Sequence, residues 1–133
     1  MVAELLHEVF ISFVLKLKVM EWVNITSLGQ LAKIKEESQS KNIVIFKHST
    51  SCYISKTVLR SFEESLDLGD KIDSYSFYFL DLIRHRDVSN KIAELFDVRH
   101  ESPQLIVVKD GEAIHDRSHS SISAQELVPL GAS

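Results

Sequence analysis

Cysteine is almost missing from this chain of 133 residues: there is one, Cys52. A lone thiol can neither close an intramolecular disulfide nor build a Cys-rich zinc site, so a stapled secreted scaffold is excluded and a reducing, cytoplasmic setting is expected. Glycine is scarce too, with four residues and no Gly-rich phosphate loop. Positive charge runs short: fifteen Lys and Arg against nineteen Asp and Glu give a formal net charge of −4. With no basic block to neutralise phosphates, nucleic acid is not an expected partner. Long hydrophobic runs are lacking as well. The stretch from Val9 to Leu15 is broken by Lys16 and Lys18, too short to span a bilayer. A secretory signal would put positive charge before its apolar stretch, whereas Glu4 and Glu8 precede this one, so export and membrane contact are disfavoured.

What remains, 44% hydrophobic and 26% charged residues, is the mixture of one globular domain large enough to need no covalent staple. Residues 1–20 read as an N-terminal extension. Leu5, Leu6, Val9, Phe10, Phe13 and Leu17 fit one helical face, or the segment lies upstream of a true start at Met20. Residues 21–133 read as the domain.

Helix and strand patterns alternate through it. Trp22–Ile25 is a short strand, and Ser27 with Gln30 has capping-box spacing before a helix reaching about Ser40. Ile43-Val44-Ile45-Phe46 has the composition of a strand buried on both faces. After the polar turn His48-Ser49-Thr50-Ser51, the four-residue recurrence of Ile54, Val58, Phe62 and Leu66 predicts a helix starting at or next to Cys52 and closed by Gly69-Asp70. Tyr75–Leu82 is a strand and Asp87 caps the following helix. Leu105–Val108 and Ala113-Ile114 flank Asp110-Gly111, a tight-hairpin signal. Ser123–Glu126 then opens a final helix that Pro129 ends early. The sum is an α/β sheet with a closing hairpin and helix.

Free cysteine is often a buried packing residue, but Cys52 falls where a central strand turns into a helix, the edge at which α/β sheets bind ligands. Unpaired N–H groups of a first helical turn, and cations nearby, favour a thiolate; Lys47 and His48 lie just upstream. Whether those two side chains face the sulfur is open. Ser55 stands where a second cysteine would resolve a mixed disulfide, so Cys-Tyr-Ile-Ser permits only one-thiol exchange, with the Ser55 hydroxyl either a donor to the thiolate or exposed helix surface. Tyr53 either packs against a thiol substrate or lies idle on that surface. Ser102-Pro103 precedes a strand, where proline is accommodated, and the isomer of its bond is not set by the spacing. A metal site is not expected, because His48 with Cys52 and His115 with His119 share no helical face and read as exposed polar histidines. Asp81, Arg84, Arg86 and Asp87 read as a solvated loop.

Strand, Cys-x-x-Ser at a helix start, proline before a strand, hairpin and final helix, in that order, resemble a thioredoxin-like fold. The segments Phe46–Ser55, Tyr78–Ile83, Arg86–Asn90, Ser102–Gln104 and Ser118–Ser120 resemble the monothiol bacilliredoxins of the bacillithiol system, over about Glu21 to Leu130. The resemblance implies a central mixed sheet flanked by helices and a cytoplasmic oxidoreductase taking bacillithiol from S-thiolated client proteins. Cys52 would be its nucleophile, Lys47, His48, Tyr53 and Ser55 would support it, and Ser102-Pro103 would be a cis corner aligning the substrate. Bacillithiol is then the exchanging low-molecular-weight thiol, with no tightly bound cofactor. Phe46 replaces the acid that dithiol thioredoxins carry six residues before the nucleophile, and the Cys-Gly-Phe-Ser and Gly-Gly signals of monothiol glutaredoxins are missing. A deglutathionylase and a non-catalytic redox sensor or adaptor are the alternatives.

Overall fold

A computed structural model describes residues 20–130, so the reading of the N-terminal extension falls on residues 1–19, outside them. Five strands, β1 (Trp22–Asn24), β2 (Asn42–His48), β3 (Tyr75–Asp81), β4 (Gln104–Lys109) and β5 (Glu112–Ser118), form one sheet in the order β1-β3-β2-β4-β5. β3 runs parallel to β1 and β2, while β4 is antiparallel to β2 and β5 to β4. The helices are α1 (Gly29–Glu37), α2 (Tyr53–Ser65), α3 (Arg86–Leu95) and the short α4 (Leu127–Leu130). This is the expected mixed sheet between helical layers.

All seven residues of β2 are buried, as its β-branched and aromatic composition requires. Side chains alternate across it. Ile43 and Ile45 pack with Leu31 and Ile34 of α1 and Val88 and Ile92 of α3. Val44 and Phe46 pack on the other face with Phe62 of α2, Leu105, Val107 and Leu127. The second layer centres on Trp22, whose ring lies 5.9 Å from those of Phe46, Phe62, Phe77 and Phe79. Such aromatic contacts add about 0.5–1.5 kcal/mol each beyond area burial.

Local signals were met unevenly. Asp110 and Gly111 both take positive φ, as a two-residue hairpin demands, and their N–H groups bond the carbonyl and hydroxyl oxygens of Ser38, tying the hairpin to the end of α1. Only half of the first capping box forms: Gln30 Oε1 accepts the N–H of Thr26 (2.7 Å) and Ser27 (3.1 Å), while Leu28 is the N-cap residue. Asp87 is not the cap of α3. His85 holds that position, and Asp87 sits in the first turn with its carboxylate on the adjacent Val88 N–H. α2 ends at Ser65, before Gly69, which opens a 3₁₀ turn (Gly69–Ser74) at φ +55°. Ala124–Glu126 forms another 3₁₀ turn, leaving only Leu127–Leu130 as the last helix.

Because the fully buried Phe46 contacts both Trp22 and Phe62, Phe46→Ala is expected to cost about 3–5 kcal/mol. Urea unfolding followed by Trp22 fluorescence measures this, and a loss under 1 kcal/mol would show that the layer refills the space.

Candidate active site

The carboxyl end of β2 leads through Ser49–Ser51 into α2, and Cys52 is the N-cap residue of that 13-residue helix, with extended backbone (φ −104°, ψ 118°) and partial exposure. Its N–H donates to the Ser49 carbonyl (3.1 Å) and its carbonyl accepts the Lys56 N–H (3.2 Å), so the turn and the first helical turn are joined at this residue. No side chain caps the helix, which leaves first-turn N–H groups to act on whatever charge the sulfur carries. Tyr53 and Ile54, at 81% and 58% exposure, form an apolar margin beside it.

Ser55 is fully buried. Its Oγ accepts the Ser49 N–H (3.1 Å) and lies 2.7 Å from His48 Nδ1. Burial lowers the pKa of His48, outweighing the pull of Asp81 in the other direction. Burial thus favours the uncharged ring, which shares one hydrogen bond with the Ser55 hydroxyl through Nδ1. The hydroxyl serves His48 and the turn, and among the described residues none of its hydrogen bonds goes to the sulfur. His48 itself corrects an expectation. It is the last residue of β2, buried, with its ring 5.3 Å from Phe79, and not an exposed turn residue.

Strand alternation sends Lys47 the other way. Its side chain is completely buried on the α3 face, where Nζ donates to the Ser89 carbonyl (3.0 Å) and approaches His100 Nδ1 (3.4 Å). Burial pushes its pKa down to about 8. Lys47 and His48 thus do not share a side, and only His48 joins the α2 layer. The Ser102-Pro103 bond is cis, and because Gln104 pairs with Lys47, Pro103 falls one step further along, beside the end of β2. Pro103 is buried, and Ser102 Oγ is buried without a hydrogen-bond partner. No group of three or more His, Cys, Asp or Glu among the described residues converges on a metal-sized site. His115 and His119 each meet a carboxylate instead, Glu126 at 2.8 Å and Glu101 at 3.6 Å. Phe79, which meets His48 from β3, and Ser89 and His100, which receive Lys47, lie far from the motif in sequence, and Asp81, expected in a solvated loop, is the half-buried last residue of β3 paired with His48.

Ser55→Ala would strand the Ser49 N–H and His48 Nδ1 in the interior, and a destabilisation of about 1–3 kcal/mol is expected. Chemical denaturation tests this, and a neutral outcome would mean that the network carries no weight. Lys47 gives a pH signature. Its proton is held to about 10.5 when unfolded and to about 8 when folded, so between these values the unfolded chain binds more protons and stability rises with pH. Urea midpoints from about pH 7.5 to 9.5 should show that rise in the parent and not in Lys47→Met; equal slopes would contradict it.

Comparison with known proteins agrees with this fold. A thioredoxin-fold protein assigned as an oxidoreductase aligns with TM-score 0.67 and 28% identity over 84% of this chain and 93% of its own. Thioredoxin from Malassezia sympodialis aligns with TM-score 0.65 and 18% identity over 85% and 90%, and that of Schistosoma mansoni with 0.61 and 18% over 84% and 94%. The fold is that of thioredoxin. The family model described as monothiol bacilliredoxin BrxC matches residues 23–127, from β1 to the start of α4, and this chain belongs to the monothiol bacilliredoxin family.

Proposed function

We propose that the protein removes bacillithiol from S-bacillithiolated client proteins by a one-cysteine exchange at Cys52. Membership of a thioredoxin-fold redox family already supports thiol–disulfide chemistry. The observation that carries the finer reading is the pair Cys52 and Ser55: the sole thiol caps α2, and the position of a second thiol holds a buried hydroxyl committed to His48 and Ser49. Resolution within the molecule is therefore not possible at that position.

In the first step the Cys52 thiolate attacks the bacillithiol sulfur of the mixed disulfide. A new disulfide joins Cys52 to bacillithiol, the old one breaks, and the client cysteine leaves as a thiolate that takes a proton from water. In the second step an external thiolate attacks the bacillithiol sulfur, forming a small-molecule disulfide and returning Cys52 as thiolate. Over both steps the client cysteine is reduced, the external thiol is oxidised into the small-molecule disulfide and Cys52 is unchanged, so that thiol is the only reductant needed. The exposed Tyr53 and Ile54 supply apolar surface for a client, and the Ser102-Pro103 corner lies at the same end of the sheet to align it. The proposed setting is a reducing cytoplasm, in keeping with one free cysteine. No helix among the described residues is long and apolar enough to cross a membrane.

Incubating the reduced protein with a bacillithiolated client and weighing both by intact mass is the direct test. The expected result is loss of bacillithiol from the client and its appearance on Cys52, with no transfer by Cys52→Ala. Equal transfer by that variant, or a faster reaction with a glutathionylated client at the same concentration, would overturn the reading.

A further inference from the structure

A cavity of about 200 Å3 opens at the carboxyl ends of β1 and β3, lined by Asn24, Thr26, Phe79, Asp81, Arg84 and His85 among others. This is the end of a parallel pair, where α/β sheets bind ligands. Its volume lies below the roughly 300–1,000 Å3 of drug-sized pockets, so a molecule of few heavy atoms fits and a peptide does not. Phe79 packs in the layer beneath α2, alternation puts Asp81 on the same side, and His48, the strand partner of Asp81, joins them to Ser55. The cavity therefore shares its sheet end with the helix that carries Cys52, and Phe79 and Asp81 face that helix while Ile25, also in the lining, belongs to the α1/α3 layer.

The acidic part of its wall is built before any ligand arrives, and Arg84 adds an exposed cation at the rim. The turn after β3 is closed by the His85 N–H on the Asp81 carbonyl (3.0 Å), and Asp81 Oδ1 accepts the N–H groups of Ile83 (3.2 Å) and Arg84 (3.3 Å). One carboxylate oxygen is thus committed to the turn. Among the described residues, Oδ2 accepts no hydrogen bond, and the Arg84 guanidinium makes no hydrogen bond or ion pair, not even with Asp81. A simple anion would meet Arg84 favourably and Asp81 unfavourably, and a simple cation the reverse. A ligand bearing both charges satisfies each, with the guanidinium taking a carboxylate through paired N–H donors and the carboxylate taking an ammonium.

We propose that this cavity binds a small zwitterion with one ammonium and one carboxylate, the chemistry shared by free α-amino acids and amino-acid-bearing thiols. Binding here does not require exchange at Cys52.

The test is a titration of the full chain with S-methylcysteine, which cannot exchange disulfides, followed by ¹H–¹⁵N correlation spectra. Saturable shifts at residues 24–26 and 79–85 are expected, with affinity lower by about tenfold or more for N-acetyl-S-methylcysteine, which lacks the ammonium, and for S-methylcysteine amide, which lacks the carboxylate. Arg84→Gln and Asp81→Asn should weaken binding to a similar degree; the asparagine keeps Oδ1 for the turn, so an otherwise unchanged spectrum separates lost charge from lost structure. Alanine serves as a second probe. Equal affinity assigns the site to amino acids generally, and tighter binding of S-methylcysteine assigns it to the sulfur-bearing class. No saturable shift, equal binding of the acetylated form, or full binding by both variants would overturn the inference. A failed bacillithiol-transfer assay would leave it standing, because neither probe reacts at the thiol.

Discussion

Burial of β2 on both faces is the constraint from which the rest follows. A strand covered on both sides has no solvent face to tolerate a slip, and moving it by one residue would exchange every side chain between the two layers. Ile43, Ile45 and Lys47 are thereby committed to the layer of α1 and α3, and Val44, Phe46 and His48 to that of α2. The same commitment brings the end of the strand, with its turn into α2, to the edge where the only thiol stands. An amine and an imidazole adjacent in sequence are thus separated by the thickness of the sheet.

The two buried polar groups at that edge are accommodated by different means. His48 is held by a hydrogen bond to Ser55, and burial lowers its pKa. Lys47 keeps a carbonyl and an imidazole as partners but no carboxylate, so desolvation lowers its proton affinity as well. Ser55 thereby acquires a role that its place in Cys-x-x-Ser does not announce. It ties the strand end, the turn and the first turn of α2 together, next to Cys52.

Much of this was legible from the residues. Cys52 at a helix entrance followed from the four-residue recurrence ending at Leu66, and Asp110-Gly111 announced a hairpin because both positions need positive φ. The Ser102-Pro103 corner followed from the family resemblance, since proline before a strand is compatible with either isomer. Caps were less legible. Asp87 and Ser27 have the chemistry of N-cap residues, but helix starts are also set by where the chain leaves the sheet, and His85 and Leu28 occupy those points. His48 was assigned to a polar turn because its neighbours are hydroxyl-bearing. Had β2 been extended to it, the alternation from Val44 and Phe46 would have predicted an inward ring.

The sequence by itself determined that a single thiol, without a second at Ser55, caps a helix after a buried strand, because periodicity, turn chemistry and residue counts are local properties of the chain. It also carried the order of segments that marks the family. Only the tertiary structure decided which face Lys47 and His48 occupy, what Ser55 bonds, and that Asp81 and Arg84 line one cavity with Asn24. Those facts depend on strand pairing between segments dozens of residues apart, and contacts at such separation leave no pattern in the local spacing of the chain.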